Sequence, residues 1–174
     1  IDIFIDNLSI IPEKSDYVKL NPVYKVNLND LFTNIKFFNS EKLSVDFVGA
    51  GFKRALYATF LSYLPKEKFT YELEKYIDQR GEFSEFIRTK NSGQISFFTI
   101  NKGFTRGNHY HHTKNEKFFL VQGKVKFEMF NIFSNERFSI NIEARDNKVV
   151  ESIPGWSHSI KNIGNNTAIV ILWS

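Results

Sequence analysis

Cysteine is absent from this chain of 174 residues. That excludes a disulfide framework and any thiolate metal site, and it fits a reducing compartment. No apolar run reaches transmembrane length, and no signal peptide precedes the first polar residues. There is no Gly-rich turn between a strand and a helix of the kind that cradles a dinucleotide, so the chain as given is not expected to bind NADPH or to reduce anything. Charge of one sign is also scarce, with 23 Lys and Arg against 19 Asp and Glu and a net charge of +4. Such an excess favours anionic small molecules and is too diffuse to indicate nucleic acid. The chain opens at Ile1 without a methionine, and the expectation is a cytoplasmic, soluble piece of a longer protein with no membrane insertion.

Histidine is equally scarce, but it is concentrated. The four histidines, His109, His111, His112 and His158, fall in two short stretches. The first runs from Gly103 to Gly123 and contains His109-Tyr110-His111-His112 and, with four residues between it and His111, Glu116. In an extended strand residues i and i+2 share a face, so His109 and His111 present two imidazoles to one point while Tyr110 faces away. A carboxylate at the start of the next strand adds a hard oxygen ligand, and borderline divalent metals accept this mix. The second stretch, Ile153-Pro154-Gly155-Trp156-Ser157-His158 through Asn162, delivers one more imidazole after a Pro-Gly turn. The expected ligand set is His109, His111, Glu116 and His158. Zinc is the first choice of ion, although this set also suits nickel, manganese and iron.

Two textures divide the chain. In the first part, Val23 to Val26 reads as a short strand. A helix capped by Asn27 or Asn29 follows through Phe38, and a second helix runs from Phe52 to about Leu64, where Pro65 stops it. From Gly81 the pattern changes to short β-branched and aromatic runs separated by Gly, Asn and Asp. Strands are predicted at 81–88, 94–100, 116–122, 124–130, 136–142, 148–153 and 167–173, with a hairpin turn at Gln122-Gly123-Lys124. Many short strands at close spacing mean a sandwich or barrel. The 19 phenylalanines are expected in cores and interfaces rather than as a platform for stacking bases.

The first histidine stretch resembles the first cupin motif at its glycine, two histidines, glutamate and closing glycine. The second resembles the second cupin motif in Pro154, His158 and Asn162. It departs from that motif in two ways: three residues separate Pro154 from His158 where the pattern has four, and Lys148 stands where a glycine is expected. The resemblance implies a mainly β fold, the jelly-roll barrel of the cupins, preceded here by a small α-rich segment.

A more specific resemblance covers nearly the whole chain. Arg80-Gly81-Glu-Phe-Ser-Glu-Phe, Gly107-Asn-His-Tyr-His-His-Thr-Lys-Asn-Glu-Lys-Phe and Leu56-Tyr57-Ala-Thr-Phe-Leu-Ser-Tyr-Leu-Pro65 are similar to the bifunctional nucleotide-sugar reductase/epimerases of capsule and O-antigen synthesis. In that family a short-chain dehydrogenase domain precedes a metal-binding cupin. The resemblance implies that residues 1–64 are the tail of the dehydrogenase, 65–80 a linker and 81–174 the cupin. It further implies epimerisation at C3 of a UDP-activated 4-keto-6-deoxy-N-acetylhexosamine, before an NADPH-dependent reduction at C4 by the dehydrogenase half. The product is the UDP-N-acetyl-6-deoxy-L-talosamine precursor of UDP-N-acetyl-L-fucosamine, and the family points to a homodimer through the barrel. Candidates for the acid and base are His112, Tyr110 and Lys117, with Arg106 and Lys114 as cations for the diphosphate. Tyr71 and Lys75 have the Tyr-x-x-x-Lys spacing of a dehydrogenase, but they lie in the linker and are not expected to be catalytic. Two other readings share the motifs: a nucleotide-sugar 3,4-ketoisomerase, and a cupin that binds metal or sugar without catalysis.

Overall fold

The computed structural model describes residues 24–44 and 50–174. Helix α1, Leu28–Ser40, starts where the Asn27 side chain accepts a hydrogen bond from the Asp30 backbone N–H at 2.8 Å, a side-chain cap for one of the unpaired amides of the first turn. It packs Phe38 against Tyr57 and Phe60 of α2, Phe52–Ser62, at ring-centroid distances of 5.0 and 5.7 Å. Phe38 is the one buried residue that the two helices contain between them. The short strand expected at Val23–Val26 is not found. Val23 lies outside the described residues, and Tyr24–Val26 have no regular structure, because no described strand lies beside them to pair with their backbone. Tyr71 and Lys75 sit in irregular chain, so their spacing does not place them on one helical face.

Ten strands follow: β1 Tyr76–Asp78, β2 Gly81–Arg88, β3 Gln94–Ile100, β4 Thr105–His109, β5 Glu116–Gln122, β6 Lys124–Asn131, β7 Arg137–Glu143, β8 Val149–Ser152, β9 Trp156–Asn162 and β10 Ala168–Trp173. They form one sheet in the order β1-β2-β3-β10-β5-β8 and another in the order β4-β9-β6-β7. Every pairing is antiparallel. This is the expected cupin jelly roll. The predicted strands appear within one or two residues of their expected bounds. Three others, β1, β4 and β9, carry no simple alternation of apolar and polar residues. The exposed Tyr76-Ile77-Asp78 has no buried face. In β9 two of the buried alternate positions are His158 and Asn162, which read as polar. The sheet therefore begins at Tyr76, inside the segment expected to be a linker.

Alternation is what builds the interior. Val125, Phe127 and Met129 of β6 face Phe118 and Leu120 of β5 and Val170 and Leu172 of β10 within one buried cluster, the period-two pattern of half-buried strands. Gly123 makes the tight β5–β6 turn with φ +97°, and a side chain there would meet Ala168 Cα at 3.0 Å. At this end of the barrel Asn162 is 1 % exposed and fully employed: its Nδ2 donates to Ile100 O at 2.7 Å and Asn166 O at 2.9 Å, and its Oδ1 accepts from Gly164 N at 2.8 Å. The opposite end of the interior holds Glu116 and His158. Among the described residues no helix is long and apolar enough to cross a membrane.

Candidate metal centre

The site is aimed by a flaw in strand pairing. β4 pairs with β9 from Thr105↔Lys161 through Gly107↔Ser159, then skips Asn108 so that His109 stands opposite His158. Gly107 has φ +99° and Asn108 φ +64°, conformations that glycine and asparagine adopt most readily. A side chain on Gly107 would lie 2.6 Å from the His158 carbonyl oxygen, so only glycine allows this close approach. The bulge turns His109 towards His158, with ring centroids 4.7 Å apart. The strand ends at His109, yet the alternation persists: His109 and His111 are neighbours at 5.1 Å between centroids, and Tyr110 and His112 are neighbours at 5.1 Å on the other side.

One ligand atom each from His109, His111 and Glu116 falls within a mutual distance of 4.8 Å. Glu116 Oε2 is 3.3 Å from His111 Nε2 and 3.4 Å from His158 Nε2. Neither contact is a hydrogen bond, and Glu116 Oε2 and His111 Nε2 are buried without any hydrogen-bond partner. Two donors each about 2.1 Å from one ion at a tetrahedral angle lie about 3.4 Å apart. The buried, unsatisfied atoms and their spacing thus fit a divalent cation held by His109, His111 and Glu116; His158, the fourth expected ligand, adjoins Glu116 Oε2 but lies outside that mutually close group. The other carboxylate oxygen, Oε1, is 3.4 Å from Lys114 Nζ. Lys114 is therefore tied to the cluster.

His158 is 3 % exposed. Burial pushes its pKa down to about 4, against the opposing pull of the Glu116 carboxylate. The ring is neutral at ordinary pH, the form in which imidazole binds metal. Its Nδ1 lies 2.9 Å from Ser152 Oγ, and its face packs on Phe118 at 5.1 Å between centroids.

A cavity of about 220 Å³ opens beside the cluster, with His109, Glu116 and His158 on one wall and Arg80 and Arg106 also lining it. Phe83, Phe98, Phe118 and Leu172 supply apolar surface. Asp78 links the two guanidiniums: it accepts from Arg80 Nε and Nη2 and lies 3.6 Å from Arg106 Nη2. The hydrogen bonds from Arg80 hold the Asp78 carboxyl down at about 2. Arg106 Nε donates to Thr99 O at 2.9 Å, while its Nη2 is buried without a hydrogen-bond partner. Burial lowers the Arg106 pKa, but a guanidinium stays charged throughout the working range.

Of the residues expected from sequence, the structure brings His109, His111, Glu116, His158, Lys114 and Arg106 to this end of the barrel. It does not bring Lys117 there. Lys117 alternates with the inward Glu116, points outward and pairs with Glu151 at 2.7 Å. Tyr110 and His112 are exposed and do not line the cavity. Sequence reasoning passed over Ser152, Arg80 and Asp78. Ser152 was findable, since Val150 and Ser152 alternate as the buried residues of β8. Asp78 ends the exposed strand β1 and Arg80 lies in the turn after it; Arg80 stood in the family motif without a role, and Asp78 left no pattern to read.

The family model described as the polysaccharide biosynthesis C-terminal domain matches residues 76–174, from the first residue of β1 to the end of the chain. The chain belongs to this family. Over 159 residues this polysaccharide biosynthesis C-terminal domain protein is 40% identical to the UDP-2-acetamido-2,6-beta-L-arabino-hexul-4-ose reductase of Pseudomonas aeruginosa, covering 90% of the chain and 43% of the relative. Its structure matches the capsular polysaccharide assembling protein CapF from Staphylococcus aureus with a TM-score of 0.83 and 32% identity, over 98% of this chain and 47% of CapF. An oxalate decarboxylase of Lactobacillus farciminis at 22% identity and TM-score 0.51, over 58% of this chain and 30% of the decarboxylase, shares the barrel fold alone. The chain spans less than half the length of the reductase and of CapF.

Proposed function

We propose that this protein is the epimerase part of a nucleotide-sugar epimerase/reductase, inverting C3 of a UDP-linked 4-keto-6-deoxy-N-acetylhexosamine with the help of a divalent metal ion, on the route to UDP-N-acetyl-L-fucosamine. The observation that carries the proposal is the cluster of His109, His111, Glu116 and His158 with its unsatisfied buried donors, at a cavity lined by cations. The Pseudomonas relative is named for a UDP sugar with a ketone at C4, which supports this substrate class. Reduction at C4 needs a hydride donor, and the sequence lacks the Gly-rich turn for a dinucleotide. We therefore assign the NADPH-dependent step to the part of the relatives that this chain does not span.

The roles follow from charge and position. His109, His111, Glu116 and His158 would hold a divalent ion, zinc as first choice, which when bound would supply the positive charge that acidifies a C–H next to a ketone. Arg106, with Arg80 beside it, takes the diphosphate and thereby fixes where the sugar ring lies against the apolar wall. Glu116 has one oxygen engaged by Lys114, leaving the other for the ion. Inversion requires a proton taken from one face of C3 and one delivered to the other. We assign these transfers to His112 and Tyr110, which stand ring to ring outside the ligand pair; both are exposed and neither lines the cavity, so the assignment requires C3 to lie at the solvent side of the cluster. Lys117, held by Glu151, takes no part. The active form is proposed to be a homodimer through the barrel, where the edge strand β1 exposes Tyr76 and Ile77.

Incubation of the metal-loaded protein with the UDP-4-keto sugar in heavy water tests the reading. Deuterium at C3 with inversion is expected, and His112→Ala is expected to keep the metal while slowing exchange by roughly 10²–10⁴. A ketone moved to C3 would instead mark a 3,4-ketoisomerase, and no exchange at all would mark a binding protein.

A further inference from the structure

An imidazole offers two nitrogens, and only the one without a proton binds a cation. For His158 each nitrogen faces a polar partner, and the serine at Nδ1 can either accept or donate. Glu116 of β5 and Ser152 of β8 are direct cross-strand partners, so their side chains leave the same sheet towards the same interior point. His158 enters from the opposite sheet and reaches both of them. Its Nδ1 meets Ser152 Oγ at 2.9 Å, and its Nε2 lies 3.4 Å from Glu116 Oε2. Ser152 and His158 are each 3 % exposed, which leaves little access for solvent to replace that hydroxyl. A ring turned over by 180° would set carbon against the hydroxyl and forfeit the contact, at a site where an unpaired buried polar atom is costly. The approach of His158 is also unusual, because its Pro-Gly turn is one residue shorter than the cupin pattern.

We propose that Ser152 is a positioning residue: its hydroxyl accepts a hydrogen bond from Nδ1–H of His158, which keeps the proton on Nδ1 and aims an unprotonated Nε2 at the Glu116 side of the cluster. The second ring nitrogen of a metal-binding histidine is commonly anchored to a carboxylate, a backbone carbonyl or water, and loss of such an anchor typically costs 10–100-fold in metal affinity. Here a serine on a neighbouring strand does this. The effect on ion affinity rests on the metal-centre reading above. The effect on the proton position does not.

The test uses wild type, Ser152→Ala and Ser152→Thr, with two readouts: the His158 tautomer in metal-free protein, from long-range ¹H–¹⁵N correlation at a pH where imidazole is neutral, and Zn²⁺ affinity, from competition with a chelator. Wild type and the threonine variant should show a single Nδ1–H form. The alanine variant should shift towards the Nε2–H form and bind Zn²⁺ about 10–100-fold more weakly. Threonine, which keeps the hydroxyl, should stay within a few-fold of wild type. Unchanged tautomer in Ser152→Ala would overturn the proposal, as would a threonine variant that weakens as much as alanine, because packing would then explain both. If wild type binds no Zn²⁺ while the tautomer still shifts in Ser152→Ala, the metal reading fails and the positioning role stands. Should the alanine variant not fold, Ser152→Cys, close in volume and a weaker acceptor, is read in the same way.

Discussion

The two ends of the barrel interior treat buried polar groups in opposite ways. At the end near Gly123, Asn162 is buried with both its nitrogen and its oxygen engaged by backbone groups, and the neighbouring Ile100, Val125 and Ala168 are sealed from solvent. At the other end Glu116 and His111 keep buried atoms with no hydrogen-bond partner. A satisfied buried polar group stabilises a fold, whereas an unsatisfied one costs on the order of 1–3 kcal/mol. The first end is built for stability. The second retains a cost that a bound cation would relieve.

The sharpest way to break this comparison is to remove the carboxylate. Glu116→Ala should weaken Zn²⁺ binding by more than about 100-fold, beyond the usual loss for an outer contact, while the metal-free protein unfolds in denaturant at no lower concentration than wild type. A variant that loses stability and keeps its zinc would put Glu116 on the structural side. Next in size is Phe127→Ala in the sealed interior, expected to cost about 3–5 kcal/mol with unchanged zinc affinity per folded molecule. Asn162→Ala should follow at about 1–3 kcal/mol, again without a change in zinc stoichiometry, as chemical denaturation and chelator competition would show.

A further effect is one of pH, at most comparable with the loss of Asn162. His158 has a folded pKa of about 4 against 6.5 for an ordinary histidine, so on acidification the unfolded chain takes up this proton first. The sign follows: stability of the metal-free protein is intact above about pH 6.5 and declines towards pH 4, by at most about 1.4 kcal/mol per pH unit for one proton. His158→Gln should flatten that part of the profile. A slope unchanged in the variant would mean that another group carries it.

Much of this was legible in sequence where a residue's role shows in its spacing. The strands of apolar alternation, β2, β3, β5 and β6, were readable because burial follows a period of two. His109, His111 and Glu116 were readable because a strand and a short loop keep them together. What sequence could not supply depends on contacts between distant segments. β9 was hidden because its inward residues are His158 and Asn162. The aim of His109 depends on a bulge that Gly107-Asn108 make only against β9. Lys117 looked as available as Lys114 in a linear reading. Strand alternation sends the first outward to Glu151, while the loop bends the second back to Glu116. The Asp78–Arg80–Arg106 link joins the end of β1 and the turn after it to β4, which no local pattern announces.

The claim that the unsatisfied end is a metal centre is tested most directly by elemental analysis of the protein purified without added metal, beside Glu116→Ala and Asn162→Ala prepared in the same way. One equivalent of divalent transition metal per chain is predicted for wild type and Asn162→Ala, and close to none for Glu116→Ala. Metal retained in full by Glu116→Ala, or no metal in wild type that also fails to take up added Zn²⁺, would contradict it.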